Sequence, residues 1–132
     1  MKLLIAGSRT FEEHVTPKGS TKGLYSLFED AARLLSIDVW RDYESVIIIS
    51  GGARGIDTAA EGWASDLGLG FQLYAAQWDE LGKRAGYVRN TEMAEACDVA
   101  ILVWDGVSKG TEHMRNLLVK AEKPYALMYF PL

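Results

Sequence analysis

The segment Ser50-Gly51-Gly52-Ala53-Arg54-Gly55-Ile56-Asp57 decides the fold of this chain. It follows the apolar run Val46–Ile49 and leads into a helical pattern that begins at Thr58, so the order is strand, glycine-rich turn and helix. Such a turn lets backbone N–H groups approach an anion closely, and the positive end of a helix dipole lies behind them. Arg54 adds a planar cation that suits phosphate or carboxylate. The segment therefore predicts a site for a nucleotide-like ligand.

Apolar runs on both sides of this segment predict the strands of one sheet. Most of the runs are continuously apolar, as in central strands that are covered on both faces. One of them contains Gln72 and is expected to lie nearer an edge. The five predicted strands are Lys2–Ala6, Val46–Ser50, Phe71–Ala75, Val99–Trp104 and Tyr125–Tyr129.

Helical periodicity fills most of the intervals between these strands. The predicted helices run from about Leu24 to Val39, from Ala59 to Leu67 with Gly68 as the C-cap, from Gly82 to Ala96 and from Thr111 to Lys120. The interval from Phe11 to Thr21 is expected to be a long loop. Alternating strands and helices favour right-handed crossovers and a parallel sheet. We therefore expect an α/β fold, with residues 1–132 forming a single Rossmann-like three-layer domain around a mainly parallel five-stranded sheet.

The composition limits the classes of protein to which this chain can belong. The chain has 132 residues, of which 48% are hydrophobic, so one domain with a real core is expected. The formal net charge is −4 and the pI is about 5.2. Nonspecific binding to nucleic acid depends on clustered Lys and Arg. Nucleic acid is therefore predicted to be an improbable partner, although a local basic patch is compatible with these totals.

The cysteine and histidine content argues against disulfides and metals. Cys97 is the single cysteine, so an internal disulfide is excluded and burial is its expected state. His14 and His113 do not form a zinc-ligand cluster with it, and neither a metal nor a cofactor is predicted. Met1–Gly7 is too short for a signal-peptide core, and no apolar run approaches the ~20 residues of a membrane span. A cytoplasmic protein without membrane contact is expected.

Polar and glycine-rich turns follow the predicted strands. In open parallel sheets, ligands bind beyond the carboxyl ends of the strands, near the point where the strand order reverses. The turns concerned are Gly7-Ser8-Arg9, Gly51 to Asp57, Ala76 to Asp79 and Asp105 to Glu112. We expect phosphate groups near Arg9, Arg54 and the glycine amides. A ribose hydroxyl is expected near Asp57, because a carboxylate would repel phosphate there.

Each of these elements also has a purely structural interpretation. Asp57 could cap its helix, and Thr111 could cap the next one, with Glu112 in the first turn. In the functional interpretation, Gly110-Thr111 forms a second anion site, with Glu112 available for acid–base work. Arg89-Asn90 could face solvent or ligand. Trp78 and Trp104 could stack on a base or pack in the core.

Several common motifs are absent from the chain. There is no Gly-x-x-x-x-Gly-Lys-Ser/Thr, so P-loop chemistry has no support. No Gly-x-Gly-x-x-Gly follows the first strand, so an ordinary dehydrogenase site has no support in the sequence. No Gly-x-Ser-x-Gly elbow occurs, so an α/β-hydrolase site has no support either.

The chain resembles the SLOG superfamily of Rossmann-like proteins, and within it the YspA-like branch. The resemblance covers nearly the whole chain in order. It is carried by Gly7-Ser8-Arg9 with Phe11, Gly51 to Asp57 with Ala60 and Trp63-Ala64, Trp78, Gly82, Ala85-Gly86, Arg89-Asn90 with Met93, Asp98 and Gly110-Thr111. The superfamily includes LOG-type phosphoribohydrolases, which release the base from a nucleoside 5′-monophosphate, and DNA-processing proteins of the DprA type. The resemblance also implies a homodimer.

The chain departs from the LOG pattern at three places. Asn90 stands where those enzymes carry Lys, and the loop from Asp105 to Lys109 replaces the Pro-Gly-Gly that precedes Gly-Thr. The third position after Thr111 is Met114 rather than Glu. These departures weaken the transfer of hydrolase activity more than the transfer of ligand binding.

The prediction is therefore a domain that binds a nucleotide or a nucleotide-derived ligand, such as an ADP-ribose or NAD derivative. The predicted ligand-binding residues are Gly7, Ser8, Arg9, Gly51, Gly52, Arg54, Gly55, Asp57, Arg89, Asn90, Gly110 and Thr111. One alternative is an N-glycosidic hydrolase or transferase, with Glu112, Asp57 and Arg89 as its candidate catalytic residues. A second alternative is a DprA-like module that associates with DNA.

Overall fold

A computed structural model describes residues 1–8, 24–52 and 55–130. The strands are β1 (Lys2–Gly7), β2 (Ile47–Ser50), β3 (Gly70–Leu73), β4 (Val99–Trp104) and β5 (Tyr125–Tyr129). The helices are α1 (Tyr25–Leu34), α2 (Ile56–Leu67), α3 (Trp78–Leu81), α4 (Ala85–Ala96) and α5 (Lys109–Lys120), with a 3₁₀ turn at Gly82–Arg84. The predicted loop from Phe11 to Thr21 lies outside the described residues, as do Arg9 and Arg54.

The five strands form one sheet in the order β3-β2-β1-β4-β5, and every pairing is parallel. Leu3 pairs with Ile48 of β2 on one side and with Val99 of β4 on the other. The strand order therefore reverses between β1 and β4, which is the switch point of a doubly wound sheet. The predicted Rossmann-like fold is confirmed, and Phe71 lies on the edge strand β3 as expected.

Hydrophobic cores cover both faces of the sheet. On one face, alternate strand residues such as Leu3, Ile5 and Ile101 pack against α1 and α2 through Phe28 and Trp63. The other face is covered by α4 and α5. There Leu4, Ala100 and Leu102 pack against Met93, Met114 and Leu118. Because the side chains on both faces of the sheet are buried, the strand sequences are continuously apolar.

The helix boundaries differ from the predictions at each helix. The differences are small for α2, which begins at Ile56 rather than Ala59, and for α5, which begins at Lys109 rather than Thr111, and larger for the first and third helices. The first helix ends at Leu34, because Ser36 has a positive φ of 61°, yet Ile37 and Val39 are still buried beyond its end. The third helix is expected to begin at Gly82, but in the structure the corresponding helix α4 begins three residues later, at Ala85. The short helix α3 and the 3₁₀ turn at Gly82–Arg84 precede it. Gly68 is the left-handed C-cap of α2, as predicted.

Candidate functional site

A cleft of about 410 Å³ opens at the switch point of the sheet. Its walls come from the end of β1, the first turn of α2, the α3–α4 region and the start of α5. The described lining residues are Ala6, Gly7, Ser8, Asp57, Trp78, Lys83, Gly86, Tyr87, Arg89, Asn90, Met93, Ser108, Lys109, Gly110, Thr111 and Met114. Elements distant in the chain therefore meet at the place where this fold class binds ligands.

The end of β1 is tied to the neighbouring elements. A Cβ on Gly7 would lie 2.6 Å from Cγ1 of Ile56 and 2.8 Å from the carbonyl oxygen of Val103, so α2 packs directly on this glycine. Ser8 is buried, and its Oγ accepts a hydrogen bond from the Asp105 N–H at 3.2 Å. The same Oγ lies 3.3 Å from Oγ1 of Thr111. Gly7 and Ser8 thus hold the cleft together as well as lining it.

The β4–α5 loop is organised by Asp105, a residue that sequence reasoning did not single out. One carboxylate oxygen accepts the backbone N–H groups of Val107 at 2.9 Å and of Ser108 at 2.7 Å. The other accepts the Ser108 hydroxyl at 2.6 Å. Asp105 is itself buried. This loop presents the N-terminus of α5 to the cleft.

The start of α5 differs from the capping prediction. Ser108, not Thr111, is the N-cap residue, and Thr111 lies buried inside the first turn. Gly110 lies beside it, and a Cβ added there would meet no atom within 4 Å. Packing therefore does not require this glycine. Its bare backbone leaves room at a helix N-terminus, where N–H groups favour an anion.

The glycine turn after β2 is held from the opposite side of the cleft. Nη1 of Arg89, on α4, donates a hydrogen bond to the carbonyl oxygen of Gly51 at 3.0 Å. Gly55 is the N-cap of α2 and has a φ of 74°, a conformation that glycine adopts at little cost. Gly51, Gly52 and Gly55 are not among the residues that line the cleft. Arg89 connects this turn to the cleft wall.

Asp57 lies within the first turn of α2, so its interpretation as the N-cap residue is wrong, because Gly55 occupies that position. The side chain is only 6% exposed and lines the cleft. A carboxylate in the first turn of a helix is favoured by the helix dipole. The structure therefore places a buried carboxyl group in the wall of the cleft.

Asn90, on α4, reaches across to α5. Its Nδ2 donates to the carbonyl oxygen of Gly110 at 3.3 Å and lies 3.3 Å from Nδ1 of His113. The His113 ring meets the Tyr87 ring edge-on, with centroids 4.7 Å apart. Burial lowers the pKa of His113, so its ring is neutral near pH 7. Asn90 thereby joins the two helices that flank the cleft.

The cleft rim carries aromatic and cationic side chains that sequence reasoning largely missed. Trp78 and Tyr87 are about half exposed, and Lys83 and Lys109 are exposed beside them. The exposure of Trp78 decides against core packing, one of its two sequence interpretations. Lys83 and Tyr87 lie seven and three residues before the predicted site residue Asn90, which is the spacing of one helical face, and that pattern is the signal that could have found these two.

The structure brings together part of the predicted site. Of the predicted ligand-binding residues, the cleft includes Gly7, Ser8, Asp57, Arg89, Asn90, Gly110 and Thr111. Glu112, a candidate catalytic residue, is exposed and does not line the cleft. Arg9 and Arg54, the predicted phosphate ligands, lie outside the described residues.

The charge pattern of the cleft suits binding better than glycosidic cleavage. Among the described lining residues, Asp57 is the only carboxylate, whereas Lys83, Arg89 and Lys109 are cations. Glycoside hydrolysis commonly uses a pair of carboxylates that flank the scissile bond. The described part of the wall supplies one such group and several hydrogen-bond donors.

No group of three or more His, Cys, Asp or Glu side chains in residues 1–8, 24–52 and 55–130 could hold a metal ion. None of the helices described there is both long and apolar enough to cross a membrane.

The fold is shared with a solved DNA-binding protein. The chain is similar to DNA processing protein A from Helicobacter pylori, whose structure concerns a single-stranded DNA binding mode. The two are 20% identical with a TM-score of 0.65, and the match covers 96% of this chain and 64% of the other. The chain thus spans less than two thirds of that protein, and this likeness shows the fold. No family model matches the chain.

This neighbour corrects the prediction that nucleic acid is an improbable partner. A protein of the same fold binds single-stranded DNA, so the fold and a nucleic-acid ligand are compatible. The prediction rested on the net charge of −4, which averages over the whole surface. Binding depends on the charges beside the ligand, and Lys83, Arg89 and Lys109 cluster at the cleft.

A curated phage protein gives the sequence relationship. The chain is 33% identical over 129 residues to the gene 61 protein of Mycobacterium phage D29, and the match covers 93% of this chain and 92% of that protein. With this identity over nearly the full length of both, the chain belongs to the family of the phage D29 gene 61 protein.

Proposed function

We propose that the cleft binds a nucleotide unit of single-stranded DNA. The observation that carries this proposal is the combination of two exposed rings, Trp78 and Tyr87, with the cations Lys83 and Lys109 around one cleft at the switch point. Proteins that bind single strands combine a positive groove for the backbone with aromatic rings on which bases stack. The likeness to the Helicobacter pylori protein supports the same class of ligand.

The phosphate position follows from the start of α5. Gly110 leaves open space at the helix N-terminus, and Lys109 lies beside it in the cleft wall. Backbone N–H groups at such a terminus point outward and carry the positive end of the helix dipole. These N–H groups and Lys109 suit a phosphate, whereas the Asp57 carboxylate better suits a sugar hydroxyl or a base amino group.

The wall of the cleft formed by α3 and α4 carries the aromatic rings that would recognise a base. Tyr87 and Trp78 project from α4 and α3, and each exposes about half of its surface. Stacking on such rings tolerates every base, because each base has a π-face. A base in a duplex has its faces covered by its neighbours, so this wall favours a single strand.

The test is fluorescence anisotropy with a labelled thymidylate octamer, using wild type and Lys109→Gln at two salt concentrations. Lys109 and Lys120 are the first and last residues of α5, so Lys120→Gln is the matched control at the other end of one helix. Wild type should bind, Lys109→Gln should bind more weakly and with a smaller salt dependence, and Lys120→Gln should resemble wild type. Equal binding by all three proteins, or none by wild type, contradicts the proposal.

A second candidate is a small nucleotide or nucleotide derivative as the ligand. The cleft of about 410 Å³ falls in the size range of small-molecule sites, and Asp57 is almost fully buried on its floor. Calorimetry with mononucleotides, ADP-ribose and NAD tests this candidate. A mononucleotide that binds more tightly than the octamer would favour it over the single strand.

The YspA-like assignment and a homodimer stay predictions alongside these proposals. Cleavage of an N-glycosidic bond is a weaker candidate, because Asp57 is the only carboxylate among the described lining residues. Release of free base from a nucleoside monophosphate would support it.

A further inference from the structure

A second aromatic surface lies on the outer side of the β4–α5 loop. It consists of Trp104, Val107, Arg115 and Tyr129, and we call it the outer patch. The rings of Trp104 and Tyr129 are tilted by 56° with centroids 6.2 Å apart. Tyr129 is 56% exposed and Val107 is 77% exposed. Grouped apolar side chains at a surface, unlike scattered ones, commonly mark a binding site.

The rings of the outer patch are held in place by specific contacts. The guanidinium of Arg115 lies 6.0 Å from the centre of the Trp104 ring, and its Nε donates to the Tyr125 hydroxyl at 3.2 Å. Gly106 has a φ of 88°, and a Cβ there would lie 2.7 Å from Cε2 of Tyr129. The glycine thus lets the Tyr129 ring lie against the loop backbone. A ring fixed in this way loses little entropy when it binds.

The outer patch adjoins the cleft through one residue. Ser108 lines the cleft, and its carbonyl oxygen accepts a hydrogen bond from Nε1 of Trp104 at 3.0 Å. Lys109 follows Ser108 at the N-terminus of α5 and also lines the cleft. A strand that leaves the cleft across this N-terminus therefore arrives at the outer patch.

We propose that the outer patch binds a second base of the same single strand whose neighbouring nucleotide occupies the cleft. This inference rests on the proposed function and extends it from one nucleotide to a footprint of at least two. Arg115 already covers Trp104, so Tyr129 presents the exposed ring. The guanidinium adds positive charge beside the path of the backbone.

Tyr129→Ala and Tyr129→Leu test the inference, with Tyr43→Ala as the control. Tyr43 is also an exposed tyrosine, but it precedes β2 and therefore lies at the amino end of the parallel sheet. Anisotropy measures affinity for a thymidylate octamer, and chemical-shift titration follows the weaker binding of thymidine 5′-monophosphate. Both Tyr129 variants should lose affinity for the octamer by about five- to hundredfold, which is the range for the loss of one stacking contact. Their affinity for the monophosphate should change little. Tyr129→Trp should restore octamer binding.

Each other outcome overturns a defined part of the argument. If wild type binds neither the monophosphate nor the octamer, the proposed function fails and this inference fails with it. If wild type binds the octamer and Tyr129→Ala binds it equally well, or Tyr43→Ala loses as much, only the outer patch is wrong. If Tyr129→Ala instead dissociates a dimer without changing octamer affinity, the patch is a contact between copies of this chain. Thermal melting checks that every variant is folded.

Discussion

Nδ2 of Asn90 lies 3.3 Å from Nδ1 of His113, and this pair links α4 to α5 beside the cleft. The Asn90 amide nitrogen also donates to the Gly110 carbonyl oxygen, which can only accept. The same nitrogen therefore donates to His113 as well, so Nδ1 of His113 accepts and its ring proton is on Nε2. A neutral imidazole is required, in agreement with the lowering of its pKa by burial.

We expect acid to weaken the folded state through His113. Its pKa is lowered by burial from the usual 6.5, so below that pH the unfolded chain binds more protons at this position than the folded one. The contribution of His113 to stability is complete above about pH 6.5 and is lost as the pH falls toward the lowered pKa. Denaturant melts of wild type and His113→Gln between pH 7.5 and 5 measure it. Parallel pH profiles for the two proteins would contradict the prediction.

Asn90→Asp removes the donor from the same network. A carboxylate facing the Gly110 carbonyl cannot donate, and it places a negative charge beside the proposed phosphate position. We expect a loss of about 1–3 kcal/mol in the free energy of unfolding, typical of a buried polar group left unsatisfied, together with weaker octamer binding. Asn116→Asp, at an exposed position of α5, is the control and should change neither by much. Urea unfolding and anisotropy make the two measurements.

Sequence reasoning was most successful where local pattern determines structure. The continuous apolar runs predicted the strands, since burial on both faces leaves no alternation to read. It also placed Gly7, Ser8 and Gly110 at one edge of the sheet, because the carboxyl ends of parallel strands lie at the same edge. It could not find the Ser8–Thr111 contact, which joins residues 103 positions apart. The roles of Asp105 and His113 likewise depend on partners that only the folded chain brings near.

Two glycines of the cleft should respond oppositely to alanine. At Gly7 the new Cβ would overlap Ile56 and the Val103 carbonyl oxygen, so Gly7→Ala should cost about 1–3 kcal/mol of stability. At Gly110 the Cβ meets no atom, and alanine is the better helix former, so stability should hold or rise by up to about 1 kcal/mol. Octamer binding should nevertheless weaken in Gly110→Ala, since the methyl group occupies the open phosphate position.

Urea melts and anisotropy separate these two effects. The pair distinguishes a glycine needed for packing from one needed for access to the helix N-terminus. Full octamer binding by Gly110→Ala would place the phosphate elsewhere in the cleft. An unchanged melt for Gly7→Ala would mean that α2 can move away from β1 at little cost.

Asp105 provides the sharpest test of the loop that separates the cleft from the outer patch. Its carboxylate accepts hydrogen bonds from the backbone of Val107 and from both the backbone and the hydroxyl of Ser108. Asp105→Ala leaves these donors without their partner, so we expect a loss of about 1–3 kcal/mol and weaker binding at both surfaces. Asp105→Asn keeps one acceptor oxygen and should fall between Asp105→Ala and wild type. If Asp105→Ala lost stability but kept full octamer affinity, the ordered loop would serve the fold alone, and the continuous path from the cleft to Tyr129 would lose its structural basis.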